Sequence, residues 1–334
     1  MSKDIYVIAE QRDGKLAKVG KELVGEATRL ASDLGEKVVA VVLGSDIKEE
    51  AKKLFNYGAD EVVVVDDPML KSYVTEPYAK ALAKIVADCK PNIVLFGATS
   101  IGRDLAPRVA GRVHTGLTAD CTKLDIDEET KLLAMTRPAF GGNIMATIVC
   151  KDYRPQMATV RPGVMKALEK DSSKTGEVKE IKVEFTAADM NVEILEEVKE
   201  TKKTADITEA KVLVSGGRGI GGPEGFQMLK ECAEELGGEI ASSRACTDAG
   251  WIETDRQVGQ TGKTVRPELY IACGISGAIQ HVAGMENSEL VISINKNDTA
   301  AIFSVSDLGI VGDVKVIIPK LTEALKKYNA EKNN

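Results

Sequence analysis

The sequence predicts an α/β protein that consists of two doubly wound domains. Its 334 residues exceed the roughly 100–200 residues of one ordinary domain. In both halves, short apolar runs alternate with longer amphipathic stretches, and this rhythm is typical of β-α-β units around a parallel sheet. Aromatic residues make up only 4% of the chain, so Val, Ile, Leu and Ala must fill the cores, as they do in parallel sheets that are covered on both faces.

The composition excludes several classes of partner. Hydrophobic residues at 43% and charged residues at 28% are typical of a soluble globular protein. The net charge of -7 repels phosphate backbones, so we expect no nucleic-acid partner. No apolar run reaches the length of about 18 residues that spans a membrane. The amino terminus enters a strand without the features of a secretory or transit peptide, and we therefore expect a cytoplasmic protein.

The chain has few residues that bind transition metals. It contains six cysteines and two histidines, and no two cysteines form a Cys-x-x-Cys pair. A structural zinc site or an iron–sulfur cluster is therefore not expected, and no metal ligand is predicted. Most of the cysteines lie in apolar or helical surroundings, which indicates buried, reduced thiols.

The first half begins with the β-α alternation. Strands are predicted at residues 5–9, 38–43, 61–65 and 92–96, and helices at 18–34, 47–57 and 78–89. From about residue 124 to 164, the pattern changes to strands that are broken by Gly and Pro. The β-α alternation that precedes this change predicts a parallel sheet with right-handed crossovers.

Two polar stretches rich in Lys and Glu follow, at residues 167–182 and 195–208. Their composition is that of connectors, so we place the domain boundary between residues 205 and 206. The second stretch is predicted to be a hinge. The same Glu and Lys spacing would also fit solvated surface helices.

The second half restarts the alternation. Strands are predicted at residues 211–214, 269–273, 290–294 and 301–305, and helices at 223–236, 277–283 and 314–328. Most of these strands run directly into loops rich in Gly, Ser, Asn or Thr. Because the carboxyl ends of parallel strands meet at one edge of the sheet, these loops should together form a ligand crevice.

The loop Ser-Gly-Gly-Arg-Gly-Ile-Gly-Gly at 215–222 lies between a predicted strand and a helix, and 217–222 fits Gly-x-Gly-x-x-Gly. Such loops bring backbone N–H groups close to a diphosphate, and Arg218 adds a cation. Glycine runs also form plain tight turns. The acidic residue that closes the next strand in NAD sites is not evident, since the nearest candidate, Glu239, precedes that strand.

Further loops supply polar groups to the same crevice. Ser243 and Arg244 follow one strand, the run at 274–281 follows another, and Asn295 ends a third. The run Gly-Gln-Thr-Gly-Lys-Thr at 259–264 has two residues between its glycines where a Walker loop needs four, which disfavours ATP hydrolysis. No Ser/His/Asp arrangement indicates a hydrolase. The expected ligand is long and carries a diphosphate.

These loops closely resemble one known family, the electron transfer flavoprotein alpha subunits, in their FAD-binding domain. The matching stretches are Ser-Gly-Gly-Arg-Gly at 215–219, Ser-Arg-Ala at 243–245, Gln-Val-Gly-Gln-Thr-Gly-Lys at 257–263, Gly-Ile-Ser-Gly-Ala-Ile-Gln-His at 274–281, Ile-Asn-Lys-Asn at 294–297 and Gly-Ile-Val-Gly-Asp at 309–313. The first half resembles the first domain of the family through the stretches at 96–108 and 115–120. The resemblance covers essentially the whole chain.

The resemblance implies a division of labour between two domains. Residues 1–205 would form a nucleotide-binding-like α/β domain that contacts a beta subunit, and residues 206–334 a Rossmann-like FAD-binding domain. The implied cofactor-binding residues are Arg218, Ser243, Arg244, Val258, Gly259, Gln260, Thr261, Ser276, Gly277, Ala278, Ile279, Gln280, His281, Asn295, Asp313 and Val314. No catalytic residue is implied.

The family also implies where these residues act. Residues 276–280 would lie near the diphosphate and ribityl chain, and 258–261 along the isoalloxazine ring, with the Thr261 hydroxyl near N5. Arg244 would lie against the ring and His281 would face O2, so that both stabilise negative charge there. Asn295, Asp313 and Val314 would hold the adenosine end. Gly312 replaces a larger residue of the family pattern, which leaves the assignment of the aspartate intact.

The implied function is that of an electron carrier. Non-covalent FAD would pass electrons between flavoprotein dehydrogenases and further acceptors, in a heterodimer with a beta subunit and with an acyl-CoA dehydrogenase as partner. A true enzyme, an NAD-dependent dehydrogenase or transhydrogenase that uses the loop at 217–222, is the alternative. A third interpretation is a bifurcating complex with NADH and ferredoxin, whose second flavin would lie in the beta subunit.

Overall fold

The computed structural model describes residues 2–139, 144–198 and 206–332. The chain divides into two compact units, Met1–Val198 and Lys199–Asn334. The predicted boundary at residue 205 and the central part of the predicted hinge at 195–208 lie outside the described residues. The two units are therefore described one at a time.

The first unit contains a seven-stranded parallel sheet and a three-stranded antiparallel sheet. Its strands are β1 Ile5–Ile8, β2 Gln11–Arg12, β3 Lys15–Leu16, β4 Val38–Gly44, β5 Glu61–Asp66, β6 Ile93–Gly97, β7 Leu117–Cys121, β8 Lys123–Ile126, β9 Leu133–Ala139, β10 Ile144–Ile148, β11 Gln156–Val160 and β12 Glu177–Glu180. Its helices are α1 Lys18–Leu34, α2 Lys48–Ala51, α3 Thr75–Cys89 and α4 Ser100–Val113. The parallel sheet has the order β12-β5-β4-β1-β6-β11-β7.

Both faces of this parallel sheet are buried, and β4 shows why its strands are apolar throughout. Val38 and Ala40 contribute to one core, which includes residues of α1. The alternate residues Val39 and Val41 contribute to a second core, which includes residues of α3 and α4. Because successive side chains of a strand point to opposite faces, a sheet covered on both faces needs continuous apolar runs. The predicted doubly wound architecture is confirmed.

The predicted connector at 167–182 contains a strand, which corrects that interpretation. β12 pairs in parallel with β5, with Val178 opposite Val62, and extends the sheet edge. Its side chains are mostly exposed, because an edge strand needs backbone hydrogen bonds but little apolar surface. Its composition therefore does not distinguish it from a loop.

The antiparallel sheet, of order β10-β9-β8, confirms the strands that were predicted between residues 124 and 164. Strand β10 lies at the sheet edge and exposes Ile144, Met145 and Ile148 to solvent by 53%, 54% and 40%. Within the described residues, no other strand pairs with its outer edge. The first unit therefore presents an apolar strand that its own core does not cover.

The second unit contains one five-stranded sheet, and all of its pairs are parallel. Its elements in chain order are β13 Val212–Gly216, α5 Gly225–Glu235, β14 Glu239–Ser242, α6 Arg244–Asp248, β15 Leu269–Cys273, α7 Ile279–Val282, β16 Val291–Asn295, β17 Leu308–Val311 and α8 Val314–Lys332. The sheet order is β14-β13-β15-β16-β17, which is 2-1-3-4-5 in order of appearance. Among the described residues, no helix is long and apolar enough to cross a membrane.

One strand predicted in the second unit is wrong. Residues Ala301–Val305 form a 3₁₀ turn, and the fifth strand is β17 instead. Ile302 is fully buried, and its backbone N–H donates to the Ser276 carbonyl at 3.1 Å. The apolar run therefore reflects a buried turn, because short apolar runs do not by themselves distinguish strands from other buried segments.

Candidate functional site

A cavity of about 710 Å³ lies at the carboxyl ends of the second unit's strands. The sheet order places β14 on one side of β13 and β15 on the other, so the loops that follow β13 and β15 meet where the strand order reverses. Such switch points are where open α/β sheets bind ligands. The cavity is lined by Gly217, Arg218, Gly219, Ser243, Arg244, Ala245, Gln257, Val258, Gly259, Thr261, Gly274, Ile275, Ser276, Ala278, Gln280, His281, Asn295, Asn297, Thr299, Ala300 and Ala301.

Two loops form the floor of this cavity by direct backbone packing. The Gly217 N–H donates to the Cys273 carbonyl at 2.9 Å, and the Gly219 N–H donates to the Gly274 carbonyl at 3.0 Å. A Cβ atom on Gly217 would stand 2.4 Å from the Gly274 oxygen, which is closer than any real contact. Glycine is therefore required here for close approach of the two loops.

Gly277 is required for a second reason. Its φ of +88° lies in the left-handed region, and a Cβ atom would stand 2.1 Å from the Ile302 nitrogen. Gly277 does not line the cavity itself, but it brings the loop after β15 against the 3₁₀ turn Ala301–Val305. It therefore acts on the shape of the cavity wall.

Arg218 and Ser243 are two predicted residues that line the cavity next to the glycine loops of its floor. Arg218 is exposed, and within the described residues no carboxylate lies within ion-pair distance of it. The Ser243 N–H donates to the Gly216 carbonyl at 3.0 Å, which fixes the loop after β14 beside the loop after β13. Together they offer a cation and a hydroxyl to an anionic ligand.

Arg244 lies at the rim of the cavity as the first residue of α6. Its Nε is 3.2 Å from Asp248 Oδ2, and the two side chains are 65% and 63% exposed. An exposed pair of this kind contributes little free energy, so the guanidinium is not held by it. The placement of Arg244 against a flavin ring stays a prediction.

Thr261 is positioned by two residues that the sequence prediction missed. Gln257 Nε2 donates to Thr261 Oγ1 at 3.0 Å, and Thr247 Oγ1 donates to Gln257 Oε1 at 2.8 Å. Gln257 and Thr247 are both buried. The Gln257 amide therefore links the hydroxyls of Thr247 and Thr261 and holds the Thr261 side chain in place, while Thr247 Oγ1 also lies 2.9 Å from the Arg244 carbonyl. Gln257 is the first residue of the matched stretch 257–263. Only this position next to the predicted residues could have indicated that its side chain belongs to the site.

The loop at 257–263 is bound to the loop after β15 and to β14. The Gln260 N–H donates to the Gln280 carbonyl at 2.8 Å, and the Val258 N–H donates to the Ser242 carbonyl at 2.9 Å. Val258, Gly259, Ser276, Ala278 and Gln280 line the cavity as predicted candidates. The predicted residues Gln260 and Ile279 are outside the lining, and Ile279 is 43% exposed.

His281 is buried at the wall of the cavity. Its Nε2 lies 3.0 Å from the Tyr270 hydroxyl. Burial lowers the pKa of the imidazole to about 4, against a smaller opposing effect of the Val258 carbonyl. The ring is therefore neutral near pH 7, and it offers a donor or an acceptor rather than a positive charge.

The three residues predicted for the adenosine end are placed differently from one another. Asn295 lines the cavity, and its Nδ2 donates to the Ile275 carbonyl at 2.9 Å. Asp313 does not line the cavity. The N–H of the preceding residue, Gly312, donates to the Asn295 carbonyl at 2.9 Å and so holds Asp313 near Asn295. The Lys315 N–H and the Lys296 ammonium lower the pKa of Asp313. Val314 is buried at the start of α8.

The structure weakens the case for an NAD site. Glu239 is the first residue of β14, where it pairs with the buried Arg256 at 2.8 Å. The acidic residue that binds the NAD ribose closes the second strand, whereas β14 ends at Ser242. Glu239 is therefore at the wrong end of the strand for this role.

Comparisons with known proteins agree with the family that the loops resemble. The family model described as "Electron transfer flavoprotein domain" matches residues 5–186, and the model described as "Electron transfer flavoprotein FAD-binding domain" matches residues 206–286. The alpha subunit of electron transfer flavoprotein from Thermoanaerobacterium thermosaccharolyticum is 56% identical, over 97% of this chain and 98% of the relative.

Two further relatives have names that mention reactions. The acryloyl-CoA reductase electron transfer subunit beta of Anaerotignum propionicum is 47% identical, over 97% of this chain and 96% of the relative. The subunit LctC of the lactate dehydrogenase (NAD(+),ferredoxin) of Acetobacterium woodii is 44% identical, over 95% of this chain and 75% of the relative. The chain therefore belongs to the electron transfer flavoprotein family, as an alpha subunit whose second unit carries the FAD-binding domain.

Proposed function

We propose that the cavity of the second unit binds one FAD non-covalently and that the chain carries electrons through it. The family membership supports an electron carrier with FAD as its cofactor. The observation that carries the assignment of the site is the continuous cavity across the ends of β13 to β16, which is lined by most of the predicted residues. Bound FAD supplies a redox centre that takes up and releases electrons.

The residues of the cavity fit the chemistry of this cofactor. The glycine loops of the cavity floor and Arg218 suit a diphosphate, which needs close backbone N–H groups and a cation. Val258 and Ile275 offer buried apolar surface to a flat ring. The Thr261 hydroxyl, fixed by Gln257, supplies a polar group. We assign no catalytic residue, because this site binds and orients the cofactor.

We further propose that two side chains bias the cofactor toward its reduced forms. Negative charge grows over N1 and O2 of a flavin when it takes up electrons. Arg244 at the rim supplies a mobile cation, and His281 in the wall supplies a neutral hydrogen-bonding group. Groups that interact more strongly with the negatively charged reduced flavin than with the neutral oxidised flavin raise the affinity of the site for reduced FAD.

The proposed cofactor is tested by binding in the complete complex. The chain, purified with its beta subunit, should be yellow and should release FAD bound in this chain on denaturation. FMN should bind at least about tenfold more weakly, a difference of about 1.4 kcal/mol, because it has no adenosine for Asn295 and Asp313. Equal affinities for FMN and FAD would refute the proposed adenosine end. A colourless protein that binds NADH in the second unit would favour the alternative dehydrogenase.

Membership among alpha subunits implies a beta subunit as partner, and we propose that the first unit binds it through β10. The support is the exposed apolar surface of Ile144, Met145 and Ile148 on an edge strand. Met145→Asp should weaken the heterodimer. Leu308→Asp is a matched control, because Leu308 is 52% exposed on the edge strand β17 of the second unit. If both variants leave the complex intact in size-exclusion chromatography, β10 is not the binding surface.

We propose that the electron donors and acceptors include an acyl-CoA dehydrogenase, with NADH and ferredoxin acting through the beta subunit. The support is the names of the relatives from A. propionicum and A. woodii, which mention an acryloyl-CoA reductase and a lactate dehydrogenase (NAD(+),ferredoxin). The reconstituted complex should reduce ferredoxin with NADH only when an enoyl-CoA acceptor is present. If NADH reduces the dehydrogenase without any need for ferredoxin, the complex is a simple carrier and does not bifurcate.

A further inference from the structure

Arg256 is a buried cation of the second unit that has no predicted role. It is the last residue of the 3₁₀ turn Thr254–Arg256 and is only 5% exposed. Its Nη1 donates to Glu239 Oε2 at 2.8 Å and to the Ile240 carbonyl at 3.3 Å, and both partners belong to β14. Breaking such a pair leaves the guanidinium buried without a counter-charge, so the pair resists separation of the turn from β14.

The chain segment that follows Arg256 runs along the outer edge of the same strand. β14 is an edge strand of the five-stranded sheet. At its carboxyl end, Gln257 forms a parallel bridge with Ser242, and the Val258 N–H donates to the Ser242 carbonyl at 2.9 Å. The Arg256 side chain reaches the amino end of β14, because Glu239 is the first residue of that strand. The segment 256–258 is therefore bound to both ends of the four-residue strand.

The next residue, Gln257, connects this attachment to the cavity. Its amide links the hydroxyls of Thr247 and Thr261, and Thr261 lines the cavity whereas Arg256 does not. One peptide unit separates Arg256 from Gln257, so a shift of the Arg256 backbone also shifts Gln257 and stretches its hydrogen bonds of 2.8 and 3.0 Å. Such bonds are lost when the donor and the acceptor are about 3.6 Å apart. The guanidinium can therefore act on the cavity without touching a ligand.

We propose that Arg256 is a positioning residue, which holds the 257–263 loop against β14 and so places the Thr261 hydroxyl in the cavity. Glu239 takes part as the counter-charge of the buried guanidinium, which gives this carboxylate a role other than the binding of a ribose. The Ile240 carbonyl accepts a second hydrogen bond from the same Nη1 and so fixes the direction of the guanidinium. Supporting residues of this kind fix the side chains that contact a ligand to within about 0.5 Å.

The consequence for the cofactor rests on the proposed FAD site, where the loop is proposed to lie along the flavin ring and the Thr261 hydroxyl to donate or accept one hydrogen bond. In Arg256→Met, an apolar side chain replaces the guanidinium and makes neither bond to β14. The loop then depends on the backbone contacts at Ser242, and the Thr261 hydroxyl is out of place part of the time. The affinity for FAD should fall by about fivefold, the size of one hydrogen bond.

The attachment of the loop can be measured without any flavin. In the heterodimer, amide hydrogen exchange of peptides that cover 256–263 should be at least about fivefold faster in Arg256→Met, with no change in β15. Arg161→Met is a matched control that should change neither segment, because it removes an arginine of the first unit that is 11% exposed and pairs with Asp120 at 2.8 Å. Unchanged exchange of 256–263 in Arg256→Met, or equal acceleration in β15, would overturn the proposal. If Arg256→Met fails to fold, Glu239→Gln gives the same test, because it removes the counter-charge alone.

A double-mutant cycle tests whether Arg256 acts through Thr261. The affinity of the flavin-free heterodimer for FAD should fall about fivefold in Arg256→Met, and Arg256→Met should have no further effect in the Thr261→Val background, which has no hydroxyl to misplace. Equal effects in both backgrounds would show that Arg256 acts by another route, and would overturn the positioning role even if the loop is held as proposed. If wild-type protein binds no FAD, the proposed function fails, while the exchange measurement still decides whether Arg256 holds the loop.

Discussion

Gly277→Ala is the change that most directly tests how the cavity wall is built. Gly277 has a φ of +88°, and its missing side chain leaves room for the Ile302 nitrogen. Gly237 is a matched control, because its φ is +65° and a Cβ atom there would meet nothing within 4 Å. Both variants impose a left-handed conformation on alanine, but only Gly277→Ala adds a backbone collision. The difference between them isolates the close approach of the two loops.

The expected magnitudes follow from these two contributions. A left-handed alanine costs about 1–2 kcal/mol, and Gly237→Ala should lose this amount and retain FAD. At Gly277, the new Cβ atom would stand 2.1 Å from the Ile302 nitrogen, whereas ordinary contacts begin at 3.4 Å, so the turn must move by more than about 1 Å. Overpacking of this kind costs a further 1–3 kcal/mol or so. Gly277→Ala should therefore lose about 2–5 kcal/mol.

The displacement of this turn in Gly277→Ala should also weaken the binding of the cofactor. It breaks or stretches the hydrogen bond from the Ile302 N–H to the Ser276 carbonyl, and both Ser276 and Ala301 line the cavity. We expect FAD affinity to fall by at least about tenfold, or 1.4 kcal/mol. Urea unfolding measures the stability of each variant, and titration of flavin-free complex with FAD measures the affinity. If Gly277→Ala matches Gly237→Ala in both measurements, the close approach is not what shapes the site.

Two further predictions concern Arg244 and His281. Arg244→Ala should weaken binding of reduced FAD by on the order of 1 kcal/mol, and Arg244→Lys should restore only part, because an ammonium cannot lie flat on a ring. Unchanged potentiometric titrations at full FAD occupancy would contradict this. Burial lowers the pKa of His281 from 6.5 to about 4, so acid favours the unfolded chain. Between pH 7.5 and 5, the free energy of unfolding should fall by about 2 kcal/mol more in wild type than in His281→Gln. Equal losses in the two proteins, measured by urea unfolding, would exclude this.

The sequence by itself determined the class of fold and the edge of the sheet where the site lies. Apolar runs such as the one in β4 are continuous because both faces are covered, and this pattern can be read without coordinates. The loops after β13, β15 and β16 carry the glycines and polar residues of the cavity, and each lies next to its strand in the chain. Local order was sufficient for these features because the carboxyl ends of parallel strands share one edge.

Only the tertiary structure decided which residues act behind the cavity wall. Gln257 links the Thr261 hydroxyl to that of Thr247, which lies ten residues before Gln257 in the chain, and Tyr270 meets His281 across the turn after β15. The run Ala301–Val305 was predicted to be a strand because it is apolar, but it forms a buried turn. Strand β12 was predicted to be part of a connector because it is polar, but it is an exposed strand. In each case the deciding contact joins separate elements, and hydrogen-bond direction and burial are properties of the packed neighbours rather than of the local sequence.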